Sequence, residues 1–174
     1  MFVFGKNTQN LCKEHIGGRF VRIGSFINNM DHLILPCDRD ITYVLQFKLK
    51  DKESSYRYKT HCGKKITWDD VYCYNEEILK FLSDYCVRNQ LSLSVLGRSK
   101  IKEEQMQEVK YVNSIISESC YEYIPSKNQY TSYEELLRSK VIVVLESTLG
   151  YEMLSRRKRV VYLGVREKTL GESS

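Results

Sequence analysis

Lys140 to Leu163 reads KVIVVLESTLGYEMLSRRKRVVYL, and the fold turns on it. Five apolar, mostly β-branched residues open it, Val141 to Leu145. A run so short and so apolar suits a strand buried on both faces of a parallel sheet. Ser147 and Thr148 then offer hydroxyl caps for a helix. That helix runs from Leu149 to Arg157, with Leu149, Met153 and Leu154 predicted to face the sheet. Val160 to Leu163 supplies the next strand. The unit is strand–helix–strand, with a Ser-Thr-x-Gly turn at the carboxyl end of the first strand. In open α/β sheets that end is where ligands bind.

Upstream, the same alternation recurs. Ile41–Phe47 reads as a strand, and Lys48–Thr67 as a polar loop long enough to be functional or flexible. A helix comes next, from Trp68 to about Arg88, with Val71, Tyr74, Ile78, Leu82 and Tyr85 at helical spacing. Leu91–Leu96 is a strand, and Glu103–Ser117 a helix presenting Met106, Val109, Val112 and Ile116. Tyr121–Ile124 is a strand stopped by Pro125. Thr131 and Ser132 cap a helix reaching about Arg138. From Ile41 the order is β-α-β-α-β-α-β-α-β. This predicts an α/β fold with a doubly wound, mostly parallel, Rossmann-like sheet of order 3-2-1-4-5. The crevice would open between the ends of strands one and four, with Gln46 and Phe47 facing Ser147, Thr148 and Gly150.

Residues 1–40 read as a linker segment with short strands, and 41–174 as the Rossmann-like domain. Within the linker segment, Phe2–Phe4 and Arg19–Ile23 are strand-like. Asn7–Glu14 is helical, capped by Asn7 or Thr8.

The 174 residues carry a net charge of +5, with 42% hydrophobic and 28% charged residues. That composition is ordinary for a soluble globular domain. No apolar run approaches the roughly 18 residues of a membrane helix, and no signal peptide opens the chain, so a cytoplasmic protein is expected. The positive balance allows peripheral contact with the inner face of a membrane, or an anionic ligand; nothing points to specific nucleic-acid binding. The six cysteines include no C-x-x-C pair, and free thiols are expected. His61 and Cys62 lack further ligands at metal spacing, so no metal is expected. The run Arg156-Arg157-Lys158-Arg159 reads as cations at a helix C-terminus.

The helix beginning near Thr148 presents unpaired N–H groups and a partial positive charge, a ready phosphate site. Ser147 and Thr148 add hydroxyl donors, Gly150 permits close approach, and Glu152 offers acceptors. Ordinary capping is the alternative reading of the same residues.

The S-T-x-G-x-E element, with the residues from Met153 to Leu163, resembles the nucleotide-binding turn in the C-terminal half of GT-B glycosyltransferases. The nearest likeness is to the bacterial surface-carbohydrate biosynthesis group, and sugar-nucleotide 2-epimerases are similar there. Ile23-Gly24-Ser25-Phe26 with Asn28-Asn29, the strand ending in Gln46-Phe47, and Leu96-Gly97-Arg98 match the family pattern loosely and in order. The resemblance implies a GT-B C-terminal-type domain acting as the donor half of a glycosyltransferase in surface polysaccharide biosynthesis. Ser147, Thr148 and Gly150 would hold the diphosphate and Glu152 the ribose. Gln46, Gly97 and Arg98 would line the site, with Arg98 adding charge. Ile124 and Pro125 would border the base, and Ser25 and Asn28 would face the cleft. A nucleotide sugar would be substrate, with no cofactor. The acceptor site and general base of such enzymes lie mostly on an N-terminal domain, so the resemblance implies a missing domain or partner chain and a C-terminus cut short. It names no catalytic residue in this chain. A 2-epimerase-like domain and a non-catalytic α/β binding or scaffold domain are the alternatives.

Overall fold

A computed structural model describes residues 2–3, 5–22, 35–47, 56–59, 65–67, 72–128, 130–145 and 147–163. Ser25, Asn28, His61, Cys62, Trp68 and Glu146 lie outside this set. The chain divides into two compact units, Met1–Ile34 and Leu35–Ser174.

The first unit is a small β-α-β element. Strand β1 (Phe2–Val3) pairs in parallel with β2 (Val21–Arg22), and α1 (Lys6–His15) connects them. The predicted cap is displaced: Gly5 takes the N-cap position in extended backbone, while Asn7 and Thr8 lie within the helix. Lys13 and His15 occupy the last turn, where the helix dipole favours cations.

The second unit is built on a five-stranded, all-parallel sheet. Its strands are β3 (Arg39–Val44), β6 (Leu93–Leu96), β7 (Glu122–Ile124), β8 (Ser139–Val144) and β9 (Arg159–Tyr162). A separate antiparallel hairpin, β4 (Tyr56–Lys59) and β5 (Lys65–Thr67), stands within the stretch read as a loop. The helices are α2 (Tyr74–Asn89), α3 (Lys102–Asn113), α4 (Thr131–Leu137) and α5 (Thr148–Ser155). The sheet order is β7-β6-β3-β8-β9. Counted along the wound unit from β3, that is 3-2-1-4-5. The winding of the sheet therefore reverses between β3 and β8, which pair in parallel with registers running from Arg39↔Ser139 to Tyr43↔Val143.

Strand β8 shows why the sheet is covered twice. Val143 and Leu145 join Tyr43, Leu45 and Val95 in a core with Ile78, Leu79 and Leu82 of α2 and Val112 of α3. Ile142 and Val144, pointing the other way, join Leu96 and Ile124 with Leu136 of α4 and Met153 of α5. Alternate side chains of one strand thus serve two cores. Each such fully buried side chain stabilises the fold by about 1.5–3 kcal/mol.

Several predicted faces shift. Leu154, Tyr85 and Met106 are solvent-exposed. On α2 the buried stripe is Ile78, Leu79, Leu82 and Cys86, and on α3 it is Glu108 and Val112. Helix α3 stops at Asn113, four residues short of the expected end, and a 3-10 turn, Glu118–Cys120, precedes β7. The cap of α4 comes from further back than expected: Asn128 Oδ1 accepts from the amides of Tyr130 (2.7 Å) and Thr131 (2.9 Å). In the basic run, Arg157 turns the chain after α5 with a left-handed φ of 62°. Lys158 reaches the carbonyls of Leu137 and Ser139, so the cation serves the C-terminus of α4 rather than that of α5. Among the described residues, Cys12, Cys37, Cys73, Cys86 and Cys120 form no disulfide.

Candidate functional site

A cavity of about 370 Å³ opens at the carboxyl ends of β3, β6 and β8. From β3 and its loop come Val44, Leu45 and Gln46; from β6, Leu96, Gly97 and Arg98. Ser147, Thr148 and Leu149 come from the β8–α5 turn, and Ser132 from the first turn of α4. Its location follows from the reversal of winding between β3 and β8, because the connections there leave toward opposite faces and part above the sheet. The size falls in the range of small-ligand sites.

Buried polar groups fix each loop. After β3, the carbonyl of Gln46 accepts from Asn75 Nδ2 at 2.9 Å. Asn75 is fully buried in α2, and its Oδ1 accepts the hydroxyl of Tyr43. Burial holds that phenol protonated, well above its ordinary range. Phe47 stacks on Tyr111 with centroids 4.3 Å apart. After β6, the Gly97 amide donates to Ile124 O at 2.9 Å. The next two amides, of Arg98 and Ser99, donate to the buried carboxylate of Glu108. Tyr123 donates its hydroxyl to the same carboxylate at 2.5 Å. Burial first, and the Glu108 hydrogen bond second, raise the phenol of Tyr123 far above its usual range.

Gly97 is thus explained by packing: a Cβ would collide with Tyr123 and Glu108. Its own amide and the next two along the chain are all spent inside the protein. What the loop offers the cavity is the Arg98 side chain, which is exposed and has no carboxylate partner among the described residues. Arg98 is also the sole charged side chain among the described lining residues.

After β8, Ser147 is the N-cap of α5, its Oγ accepting from Leu149 N at 3.3 Å. That bond uses a lone pair and leaves the hydroxyl proton for donation. Thr148 comes next, exposed in the first turn.

Gln46, Gly97, Arg98, Ser147 and Thr148 are therefore gathered at one cavity. Gly150 and Glu152 are not among its lining residues. Gly150 is buried, and a Cβ there would lie 2.5 Å from Tyr162 Oη and 2.9 Å from Val144 Cγ2, so its bareness admits the tyrosine. Glu152 accepts the hydroxyl of Tyr133, tying α5 to α4, and Arg156 sits 5.8 Å from the Tyr133 ring. Pro125, just after β7, is half-buried and does not line the cavity. Ser25 and Asn28 fall outside the described residues.

Ser132, Asn75 and Glu108 were missed from sequence. A signal existed for Glu108: it lies four residues before Val112, on the same helical face. Asn75 and Ser132 carry no such signal, since polar residues near helix starts are common.

No helix among the described residues is long and apolar enough to cross a membrane. Searches of curated proteins and of solved structures each returned no match. Over residues 1–174 the chain matches the family model described as "putative O-antigen biosynthesis protein", and it belongs to that family.

Proposed function

We propose that the crevice above β3, β6 and β8 binds the diphosphate of a nucleotide sugar, making this chain the donor-binding half of a GT-B-type sugar transfer. The family gives the setting, O-antigen biosynthesis, whose building blocks must be handed on as activated sugars. One observation carries the reading: residues from three separate loops meet at a cavity whose described lining includes one cation and no acid.

The chemistry is electrostatic. As the bond between sugar and phosphate breaks, negative charge grows on the departing nucleoside diphosphate. Arg98, the Ser147 and Thr148 hydroxyls and the start of α5 stabilise that charge in place. Gln46, across the crevice, offers an amide to the sugar or its phosphate. Glu152, one turn into α5, reaches a ribose only by giving up or sharing its bond with Tyr133. No general base is assigned, and the acceptor is held by another domain or partner chain. The net charge of +5 favours peripheral contact with an anionic membrane face.

Calorimetry with UDP, CMP and their sugars tests this. Saturable binding of one nucleotide is expected, weakened about tenfold or more in Arg98→Ala, the scale of one charge-assisted contact. Glu152→Ala reports separately on the ribose. Absence of binding to every nucleotide tried would overturn the proposal.

A further inference from the structure

We infer that Glu108 is a positioning residue of this crevice: buried beneath the loop after β6, its carboxylate sets the backbone from which Arg98 meets a bound phosphate. The inference rests on the anion-binding reading of the crevice.

Glu108 is 3% exposed on α3. A carboxylate so deep is tolerated only when its charge is met by donors. Among the described residues no cation pairs with it. Its donors are the Arg98 amide, 3.2 Å from each oxygen, the Ser99 amide at 3.1 Å, and the Tyr123 hydroxyl at 2.5 Å. Two of these are consecutive backbone groups of the loop that carries Arg98, the lone cation among the described lining residues. An aliphatic side chain here would orphan both amides, so this loop shape requires an acceptor at that spot.

The helix adds two more ties to the same loop. Gln105, one turn before Glu108, donates its amide to Ser99 O and to Ser126 O, both at 2.9 Å. Glu104 accepts the Ser99 hydroxyl at 2.5 Å. The backbone around Ser99 is clamped while the neighbouring Arg98 side chain stays exposed. A pre-set loop lowers the ordering needed when a ligand arrives, which is how buried supporting residues raise affinity without touching the ligand.

Glu108→Gln separates this from a merely structural role. It keeps the size but removes the charge: its one oxygen serves the Arg98 and Ser99 amides only as a neutral acceptor, while its NH₂ turns to the Tyr123 hydroxyl, so the second acceptor of the Arg98 amide is lost. Amide exchange at Arg98 and Ser99 should quicken by about tenfold or more while the rest of the sheet stays protected. UDP affinity should fall about tenfold, and in an Arg98→Ala background the Glu108→Gln change should add almost nothing, because both act through one side chain. Unchanged exchange at Arg98 and Ser99, or fully additive losses in the double variant, would overturn the inference. Failure of the parent protein to bind UDP or any other nucleotide would instead sink the anion reading, with the exchange result still deciding whether Glu108 anchors the loop. If Glu108→Gln does not fold, Glu108→Asp is measured identically: it keeps the charge and withdraws the acceptor by one methylene.

Discussion

Replacing Gly97 by alanine probes how tightly the floor of the crevice is built. The new Cβ would stand 2.7 Å from Tyr123 Cζ and 2.5 Å from Glu108 Oε2, and nearer still to the Tyr123 hydroxyl. No real Cβ sits so close, so something must move. Tyr123 is the freer group, being half-buried, but swinging it away breaks its bond to Glu108. Losing a hydrogen bond to a carboxylate costs about 1.5–3 kcal/mol, and leaving the ring in place costs about 1–3 kcal/mol in overpacking. The chain takes the cheaper route, not both. Alanine also restricts the unfolded chain, which returns about 0.4–1 kcal/mol. The net expectation is a loss of about 1–2 kcal/mol, or a melting point lower by about 2–8 °C for a chain of this size. Urea unfolding followed by circular dichroism measures it. In a Tyr123→Phe background the closest contact disappears, and the same substitution should cost about 1 kcal/mol less. A Gly97→Ala protein as stable as its parent, or equal costs in the two backgrounds, would refute the packing explanation of Gly97.

The Tyr162 hydroxyl is buried without a hydrogen-bond partner among the described residues. Tyr162→Phe should therefore leave stability unchanged or raise it by up to about 1 kcal/mol, and a marked loss on thermal melting would contradict this. Ser147→Ala removes the cap of α5 and should cost about 1 kcal/mol, read by urea unfolding, so its effect on nucleotide binding must be measured well below the unfolding transition. Asp40 is pulled down to about 2 by Lys140 first and the Ser92 amide and hydroxyl next. Because the folded value lies below the ordinary 3.8, this stabilisation is complete above that pH and disappears as pH falls through about 2. Screening limits it to about 0.5–1 kcal/mol, so the gap between parent and Asp40→Asn should be flat near neutrality and close in acid.

The parts of this fold that were legible in sequence are those where one physical requirement dominates. Val141 to Leu145 must be apolar at every position because both faces of β8 are covered. The strand–helix alternation leaves few topologies, and the crevice position follows from the topology. The helix faces were harder. Tyr85 and Met106 are apolar by type yet exposed, while Glu108 is charged yet buried, because α3 uses an acid to satisfy a loop. The hairpin was hidden by charge: Tyr56-Arg57-Tyr58-Lys59 has the period of a strand, but its lysine and arginine lie in a stretch whose mixed charges suggested solvent. Ser147 caps α5 as expected, but the caps of α1 and α4 slipped, for a simpler reason. Asn and Gly compete with Ser and Thr for the same role, and spacing alone does not choose among them.

The two ends of the sheet differ in how they handle charge, and that difference bears on what binds. At the amino end, Arg39 pairs with Glu122 and Glu135, Arg138 with Asp38, and Lys140 with Asp40. Cations there are answered within the protein. At the carboxyl end Arg98 has no such partner among the described residues, and the groups around it are an amide and hydroxyls. If that lone charge draws the ligand in, affinity for UDP must fall as ionic strength rises, because the guanidinium is exposed and open to screening. Uridine, without phosphates, should respond little. The apolar wall of Val44, Leu45, Leu96 and Leu149 would hold a base equally well in either salt, so equal salt responses for UDP and uridine would assign the affinity to that wall and deprive Arg98 of its role.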